Sequence, residues 1–320
     1  MKVTASAPGK LVLFGDHAAV YDRPCIVTAV DIRFQVAIET SAGNDIEIST
    51  PTLRAAGHLR RTTSDKLDGS EPATAFVEAA IRQFFSRHAR PQGLRVTTDG
   101  PQITYGLGSS SAVSAATVHA LAALFDISLE LRTVFEIAYA AVLDVQRTGS
   151  GIDVAAAVYG GTLLYQRQPR QIEPLETPAL PLVIGYSGEK VSTTNYLSQV
   201  AGLRGRHTAH IEELFDFMGK LVNNAHTALL MGDWQTLGEL ANIHQGLLDA
   251  LGVTTPQLFL PIYAAREAGA YGAKLSGAGG GDCMFAIAAT DQQVAVRKAI
   301  NAVGGTVVDL ATGVDGVRLE

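Results

Sequence analysis

The chain contains little cysteine, no basic cluster and no long apolar run. Its two cysteines, Cys25 and Cys283, lie in apolar segments, so we expect reduced core thiols rather than a disulfide framework or a metal pair. A net charge of −6 without a basic run argues against a nucleic-acid partner. The sequence also lacks an apolar run of about 20 residues and a secretory leader. We therefore expect a cytoplasmic protein with no membrane partner.

Hydrophobic residues make up 47% of the 320 residues, which suffices for a substantial core. This length fits one large or two medium domains. Four prolines between Arg167 and Pro181 mark the best boundary, which predicts an N-terminal domain over 1–170 and a C-terminal domain over 171–320. Mixed antiparallel strands with clustered helices predict an α+β fold, with the ligand cleft between the two domains.

Hydrophobic periodicity predicts where the elements lie. Alternation predicts strands at 3–14, 25–40, 44–49, 93–98, 162–166, 182–186, 283–289 and 306–310. Apolar stripes at helical spacing predict helices at 73–88, 111–125, 132–146, 208–231, 233–250, 256–269 and 291–302. The polar, turn-rich segment 52–72 is predicted to be a loop or lid. An exposed apolar face on one of the later helices is a candidate homodimer surface.

The segment from Gly106 to Ala112 is the most informative part of the chain. It reads Gly-Leu-Gly-Ser-Ser-Ser-Ala and leads into an apolar helix. Glycines allow close backbone approach, and the N–H groups and positive dipole end of a helix bind anions. The segment lacks both the lysine of a Walker A loop and the Rossmann glycine spacing. It is interpreted either as a phosphate cradle or as a helix cap at Ser109 or Ser110.

Two further segments favour the phosphate cradle. The first runs Ser6-Ala7-Pro8-Gly9-Lys10, continues through an apolar strand and ends in Gly15-Asp16-His17-Ala18-Ala19-Val20-Tyr21. The second, from Lys274 to Cys283, has four glycines in five positions, which suits main chain that passes close to a ligand. The alternatives are a solvated turn at Lys10 and a flexible hairpin at the glycines.

In this order, the three segments resemble the signature motifs of the GHMP kinases over nearly the whole chain. Within that superfamily they are most similar to the mevalonate kinases, especially the shorter archaeal type, which Gln245 to Val253 also resembles. Asp16 stands where those enzymes usually have Glu, and Asp22 where they have Gly. Arg147 to Ala156 and Gly281-Asp282-Cys283 are more similar to phosphomevalonate kinase. The resemblance implies a two-domain GHMP kinase fold and phosphoryl transfer from ATP.

The resemblance also assigns the parts of phosphoryl transfer to residues. It implies Lys10 and Asp153 as the catalytic pair with Asp153 as base, the alternative being that Asp153 only caps the following helix. Mg²⁺ would be held by Ser110 and, because Val142 occupies the position of the usual Glu, by Asp144, whose alternative is an exposed surface acid. The ATP phosphates would be held by Gly106, Leu107, Gly108, Ser109, Ser110, Ser111, Gly279 and Gly280.

Mevalonate, phosphorylated at its primary hydroxyl, is the acceptor that the resemblance implies. Its pocket would be formed by Asp16, His17, Tyr21, Asp153, Thr193, Thr194, Gly277 and Ala278. A phosphorylated acceptor should need further cations, and Arg147, Lys190 and Arg204 are the candidates. A non-catalytic metabolite-binding protein is the alternative of another class, which the presence of Lys10, Ser110 and Asp153 disfavours. Residues 52–72 and 101–105 are adenine-pocket candidates by position alone.

Overall fold

A long antiparallel pair of strands forms the centre of the larger sheet. The computed structural model describes residues 1–61, 67–69, 71–101 and 105–320. Within it, β1 (Lys2–Phe14) and β2 (Cys25–Thr40) pair along nearly their whole length. Burial alternates over the second half of β2, whereas β1 is buried on both faces from residue 5 onward. Helices therefore cover the end of β1 that carries Lys10.

Seven more strands extend this sheet on both sides of the central pair. They are β3 (Ile46–Thr50), β4 (Ala55–Arg61), β5 (Leu67–Asp68), β6 (Leu94–Asp99), β7 (Thr162–Gln166), β8 (Gln171–Leu175) and β13 (Arg318–Leu319). The strand order is β13-β1-β2-β6-β3-β4-β5, with β7 paired to β2 and β8 to β7. Only β3 and β6 run parallel among these described pairs, so the sheet is mixed.

Four helices pack around this sheet and its edges. They are α1 (Ala75–Phe85), α2 (Ser109–Leu124), α3 (Leu131–Gln146) and α4 (Ile152–Tyr159). Helix α2 lies against β1 and β2 on one side and against α1 and α3 on the other. Its alanines and serines are small enough for this close approach, and Ala112, Ala115 and Ala116 are fully buried.

The second half of the chain builds a smaller antiparallel sheet with helices around it. Its strands are β9 (Leu182–Tyr186), β10 (Gly272–Leu275), β11 (Cys283–Ile287) and β12 (Thr306–Val308), in the order β10-β11-β9-β12. Its helices are α5 (Thr193–Arg206), α6 (Thr208–Met231), α7 (Trp234–Ala250), α8 (Pro256–Glu267) and α9 (Gln293–Ala302). None of the helices among the described residues has the length and apolar character needed to cross a membrane.

One apolar core continues from the larger sheet into the second half. It joins Leu11 and Val27 of the central strands to Leu221 of α6 and Phe285 of β11. A second cluster lies on the opposite face of the smaller sheet. Its buried residues come from the second half of the chain, with the exception of Ala18. The two halves are thus packed against each other through a shared apolar core. Cys25 and Cys283 are buried free thiols, as expected.

The α+β fold is confirmed, and two local expectations are corrected. Segment 52–72 was predicted to be a loop or lid, which is wrong over 55–61, where β4 pairs with β3, and over 67–68, where β5 pairs with β4. Residues 62–66 and 70 lie outside the described residues. Helix α5 was not expected, since Val200 is its one fully buried residue and its apolar stripe is thin. The division near residue 170 stays a prediction, and β8 and β13 join the larger sheet from beyond it.

Candidate active site

Lys10 lies on β1 and is tied to the phosphate-loop candidate by its backbone and its side chain. Its N–H donates to the carbonyl oxygen of Leu107 at 2.8 Å. Its ammonium Nζ donates to the carbonyl oxygen of Gly106 at 3.4 Å and lies 3.5 Å from Oδ1 of Asp153. The side chain is only 7% exposed. Because a buried cation needs partners, these oxygens fix where its charge lies.

The loop before α2 leaves the first turn of that helix available to a ligand. Gly108 is the N-cap, in the left-handed region at φ 83°, and no side chain within the described part of the chain caps the helix. Ser109 and Ser110 are the first two helical residues, so the interpretation of either as a cap is wrong. Both residues line the cleft together with Ser111. Unpaired first-turn N–H groups beside hydroxyls suit a phosphate.

Asp153 lies in the first turn of α4 and points toward Lys10. Gly151 is the N-cap of this helix at φ 86°, so Asp153 is not the capping residue. Its side chain is 38% exposed, which makes it accessible from the cleft, although most of its helix is buried. A Cβ built on Gly108 would lie 3.1 Å from Cγ of Lys10 and 3.6 Å from Oδ2 of Asp153. The loop, the cation and the carboxylate therefore converge on one point.

Asp16 is buried in an ion pair with Lys274 that was not predicted from the sequence. Its Oδ2 lies 2.6 Å from Nζ of Lys274, and its Oδ1 accepts from the N–H of Gly277 at 2.6 Å. Both side chains are fully buried. Burial acts to raise the pKa of Asp16, but the attraction of Lys274 and His244 and the hydrogen bonds from Lys274 and Gly277 together outweigh it and lower that pKa. His244 stands 4.0 Å from the same Oδ2.

His17 borders the cleft and contacts the glycine-rich loop of the second half. Its Nε2 lies 3.0 Å from the carbonyl oxygen of Ala278, a bond that needs the proton on Nε2. Burial lowers the pKa of the imidazole, which keeps the ring neutral. Thr193 at the start of α5 and the loop at Gly277 complete the cleft wall. Most of the expected acceptor residues are thus brought together.

Tyr21 and Asp144 are not brought into the cleft. The Tyr21 ring stacks on Phe215 with centroids 4.7 Å apart, and the guanidinium of Arg204 lies 4.8 Å above it. Asp144 is exposed and accepts a hydrogen bond from Gln83. Residues rotate by about 100° along a helix, so Asp144 faces away from Val142 and Gln146, which do line the cleft. The proposed carboxylate metal ligand on α3, Asp144, therefore faces away from the cleft.

Gly279, Gly280 and Thr194 also lie outside the cleft lining. Gly280 donates its N–H to the carbonyl oxygen of Val253 at 2.7 Å, and a Cβ on it would meet the Tyr196 ring at 2.0 Å. A Cβ on Gly279 would lie 2.4 Å from the same Val253 carbonyl oxygen. These glycines allow the loop to pack against the second half. Leu107 is buried and contributes its backbone carbonyl instead of a side chain.

Two further residues of the cleft, Asp282 and Lys190, had no definite role predicted from the sequence. Asp282 follows three glycines and adopts φ 60°, and its Oδ1 is buried without a partner among the described residues. Burial raises the pKa of its carboxyl, against the opposing effect of Lys10 and Lys190. Of the three candidate phosphate-binding cations, only Lys190 lines the cleft. Arg204 pairs with Glu212, and Arg147 is exposed at the end of α3.

A second, more apolar pocket adjoins the cleft at the start of α2. Ser109 and Ser110 line both spaces, so the two are adjacent. The other walls come from the first half of the chain and include Phe34, Thr74, Phe76, Thr98 and Val113. Of the positional adenine candidates, Thr52, Pro72 and Pro101 line it, and residues 62–66, 70 and 102–104 lie outside the described residues. The pocket could accept a flat apolar group attached to phosphates.

The described residues contain no cluster of three or more His, Cys, Asp or Glu side chains that could hold a metal. Mg²⁺ in phosphoryl transfer needs only one or two carboxylates beside substrate phosphates and water. Ser110 and Asp153 line the cleft and supply a hydroxyl and a carboxylate of that kind. The donor set fits a phosphate-bound Mg²⁺ and not a dedicated protein cage.

Comparison with known proteins agrees with this geometry. The GHMP kinases N terminal domain family matches residues 75–161, and the GHMP kinases C terminal family matches residues 225–306. A mevalonate kinase of Pyrococcus abyssi is 37% identical over 99% of this chain and 98% of its own length. One from Thermococcus sibiricus is 36% identical over 100% of this chain and 99% of its own length.

A solved structure shares the fold as well. The crystal structure of L. major mevalonate kinase in complex with R-mevalonate has a TM-score of 0.77 and 26% identity, covering 97% of this chain and 95% of that one. The full-length similarity, the two matched domains and the converging loop, lysine and aspartate lead to one conclusion. The chain belongs to the mevalonate kinase family of the GHMP kinase superfamily.

Proposed function

We propose that this chain transfers the γ-phosphate of ATP to the primary hydroxyl of mevalonate. The observation that carries the proposal is the Lys10–Asp153 pair, 3.5 Å apart, beside the first turn of α2. The archaeal relatives of full length are named mevalonate kinase, which supports mevalonate as the acceptor. We also propose a cytoplasmic location, where ATP is available and the buried thiols stay reduced. A homodimer stays a prediction.

Lys10 and Asp153 divide the work on the acceptor hydroxyl. Asp153 accepts the proton of the hydroxyl or orients it, as a carboxylate within hydrogen-bond reach can do. Lys10 orients Asp153 through their ion pair and neutralises charge that develops on the transferred phosphoryl group. The N–H groups of the first turn of α2 and the hydroxyls of Ser109 and Ser110 hold the phosphates in line.

Mg²⁺ would be held by Ser110 and Asp153 together with the phosphates of ATP. When bound, the ion supplies charge neutralisation for the phosphates. Asp144 remains a proposal that its outward orientation disfavours. The adenine ring of ATP would occupy the second pocket, between Phe34, Phe76 and Val113. Its position next to the cleft, with Ser109 and Ser110 in both linings, supports this orientation of the nucleotide.

The cleft end formed by His17, Thr193 and Ala278 would hold the acceptor. Neutral His17 can hydrogen-bond an acceptor group without adding charge. Lys190 is the candidate partner for the acceptor's carboxylate, since it lines the same wall. A phosphate group on the acceptor would need more cations than Lys190 alone, and Arg147 and Arg204 lie outside the cleft. The cleft therefore favours the unphosphorylated acceptor.

The test is ADP release from Mg-ATP with mevalonate and, separately, with 5-phosphomevalonate. Turnover with mevalonate and a fall of about a thousandfold in kcat for Asp153→Ala are the expected results. Asp291→Ala, at an exposed position before α9, is the control. Turnover with 5-phosphomevalonate alone would identify a phosphomevalonate kinase. Binding of mevalonate without ADP release would indicate a non-catalytic metabolite-binding protein.

A further inference from the structure

The ion pair between Asp16 and Lys274 is buried, and of the two residues Asp16 lines the cleft whereas Lys274 does not. Lys274 is 0% exposed and donates to Oδ2 of Asp16 at 2.6 Å and to the carbonyl oxygen of Leu275 at 2.5 Å. Its ammonium also lies 5.2 Å from the centre of the Phe285 ring. A lysine so enclosed cannot reach a ligand in the cleft. Lys274 can therefore influence the cleft only through its contact with Asp16.

Asp16 uses its other oxygen to fix the glycine-rich loop. Oδ1 accepts from the N–H of Gly277 at 2.6 Å. Two neighbouring bonds join the same segments, since Ser276 Oγ accepts from the N–H of Val12 at 2.8 Å and His17 bonds to Ala278. The strand that carries Lys10 is thereby joined to the loop of the second half. Among these three bonds, the one to Asp16 has a charged acceptor.

Gly277 lies directly beside the ammonium of Lys10. A Cβ built on Gly277 would be 3.6 Å from Nζ of Lys10, and the residue adopts φ +95°, which favours glycine. A shift of Gly277 would therefore open or close the space around that ammonium and around the neighbouring acceptor site. The position of this loop segment depends on the acceptor oxygen that Asp16 offers.

We propose that Asp16 and Lys274 are positioning residues, which hold Gly277 and Ala278 in place beside Lys10 at the acceptor end of the cleft. The inference rests on the proposed function, because its effect is measured in acceptor turnover. Lys274 keeps Asp16 ionised and oriented, and Asp16 fixes the loop through the N–H of Gly277. This assigns Asp16 to loop placement instead of direct contact with the acceptor.

The stability of the fold does not by itself explain why this ion pair is buried. Two charges lose their hydration when they are buried, and a well-packed apolar pair of similar shape is often as stable. Removing one partner leaves an unpaired buried charge and destabilises the fold, so single variants cannot separate the two roles. Variants that remove both charges can.

The experiment compares two double variants of the full chain with the wild type. Asp16→Leu/Lys274→Met removes both charges and the acceptor for Gly277. Asp16→Asn/Lys274→Met removes both charges but keeps a side-chain oxygen for that N–H. Thermal unfolding, nucleotide affinity, and kcat and KM for mevalonate are measured for each. Hydrogen exchange at the Gly277 amide reports whether its bond survives.

We expect the Leu/Met variant to unfold within about 5 °C of the wild type and to keep its nucleotide affinity. Its kcat/KM for mevalonate should fall about a hundredfold, the usual effect of a displacement near 1 Å at a reacting centre. The Asn/Met variant should recover at least about tenfold of that loss and restore protection of the Gly277 amide.

Wild-type kcat/KM in a folded Leu/Met variant would overturn the inference, because the pair would then serve only the fold. If that variant does not fold, the Asn/Met variant decides. Protection of Gly277 with activity about a hundredfold below wild type would contradict a role through this bond. Absence of mevalonate turnover by the wild-type chain would instead reject the proposed function, which keeps the two failures distinct.

Discussion

The carboxylate of Asp282 fills the space that a side chain at residue 106 would need. A Cβ built on Gly106 would lie 2.2 Å from Cγ and 2.4 Å from Oδ2 of Asp282. The phosphate loop and the second-half loop also meet next to this contact, where Sγ of Cys283 donates to the carbonyl oxygen of Tyr105 at 3.2 Å. Close approach to Asp282, and not only backbone freedom, therefore requires glycine at residue 106.

Gly106→Ala should weaken nucleotide binding more than it weakens the fold. Alanine at φ +70° costs about 1–2 kcal/mol in the free energy of unfolding, and its methyl group must also displace Asp282. We expect KM for ATP to rise at least about tenfold, because the loop that would hold the phosphates shifts. Steady-state kinetics with varied ATP, together with chemical denaturation, measures both effects.

Gly313→Ala is the matched control for this change. Gly313 has the same φ of +70°, and nothing lies within 4 Å of its added Cβ. It should lose similar stability at unchanged KM for ATP. Equal ATP kinetics in the two variants would refute a special role for the contact with Asp282.

Asp282→Asn should stabilise the chain at neutral pH and lose that advantage in acid. Burial raises the pKa of the Asp282 carboxyl above its ordinary 3.8, so the folded state binds a proton more tightly than the unfolded state. The wild type is therefore most favoured below pH 3.8 and loses stability as pH rises through the raised pKa. The asparagine side chain has no such dependence.

Thermal unfolding between pH 4 and 8 measures the difference between the two chains. The difference in Tm should grow with pH and then level off. Asp291→Asn, at an exposed position, controls for the loss of one negative charge. A constant difference across the range would show that Asp282 does not titrate abnormally.

Most of the fold follows from patterns that are local in the sequence. The predicted ends of α6 and α7 agree with the structure within one residue, because apolar residues recur on one face and Gly232 interrupts them. Strand β4 was missed, since Ala55, Ala56 and Gly57 give weak alternation, although Leu59 is fully buried. A strand with so little alternation is stabilised by its neighbours β3 and β5 rather than by its own residues.

Site residues that belong to a sequence motif could be predicted, whereas those whose position depends on tertiary packing could not. Lys10 and Asp153 are 143 positions apart, and the family resemblance alone indicated that they would meet. Asp144 was chosen for its place in the sequence, but rotation along α3 turns it outward. The partner of Asp16 could not be predicted, because a lysine in the middle of β10 gives no local sign of being buried.

Val113→Trp tests the assignment of the second pocket to adenine. Val113 lines that pocket from α2 and is absent from the lining of the cleft. A tryptophan there should fill the space and raise KM for ATP at least about tenfold, while KM for the acceptor stays near the wild-type value. Val113→Ala, which enlarges the pocket without blocking it, is the control. Unchanged ATP kinetics in the tryptophan variant would exclude this pocket as the base site.

His244→Phe should make the fold less sensitive to acid. Burial, reinforced by Lys274, lowers the pKa of His244 to about 3 from 6.5. Both ring nitrogens lack a partner among the described residues, and the ring stacks on Phe14 at 5.6 Å. The folded state therefore keeps His244 neutral, whereas the unfolded state protonates it below pH 6.5. Stability that is present above pH 6.5 is lost as pH falls toward 3, by up to about 1.4 kcal/mol per pH unit.

Phenylalanine keeps the stacking on Phe14 and removes the titrating group. Denaturation at pH values from 4 to 8 should give a shallower acid limb for His244→Phe than for the wild type, with no loss of stability at pH 8. His210→Phe replaces an exposed histidine on α6 and should leave the acid limb unchanged. Identical acid limbs in wild type and His244→Phe would mean that His244 is protonated in the folded chain. Its charge would then have to be balanced by Asp16, 4.0 Å away, and Lys274 would no longer be the sole cation holding that carboxylate.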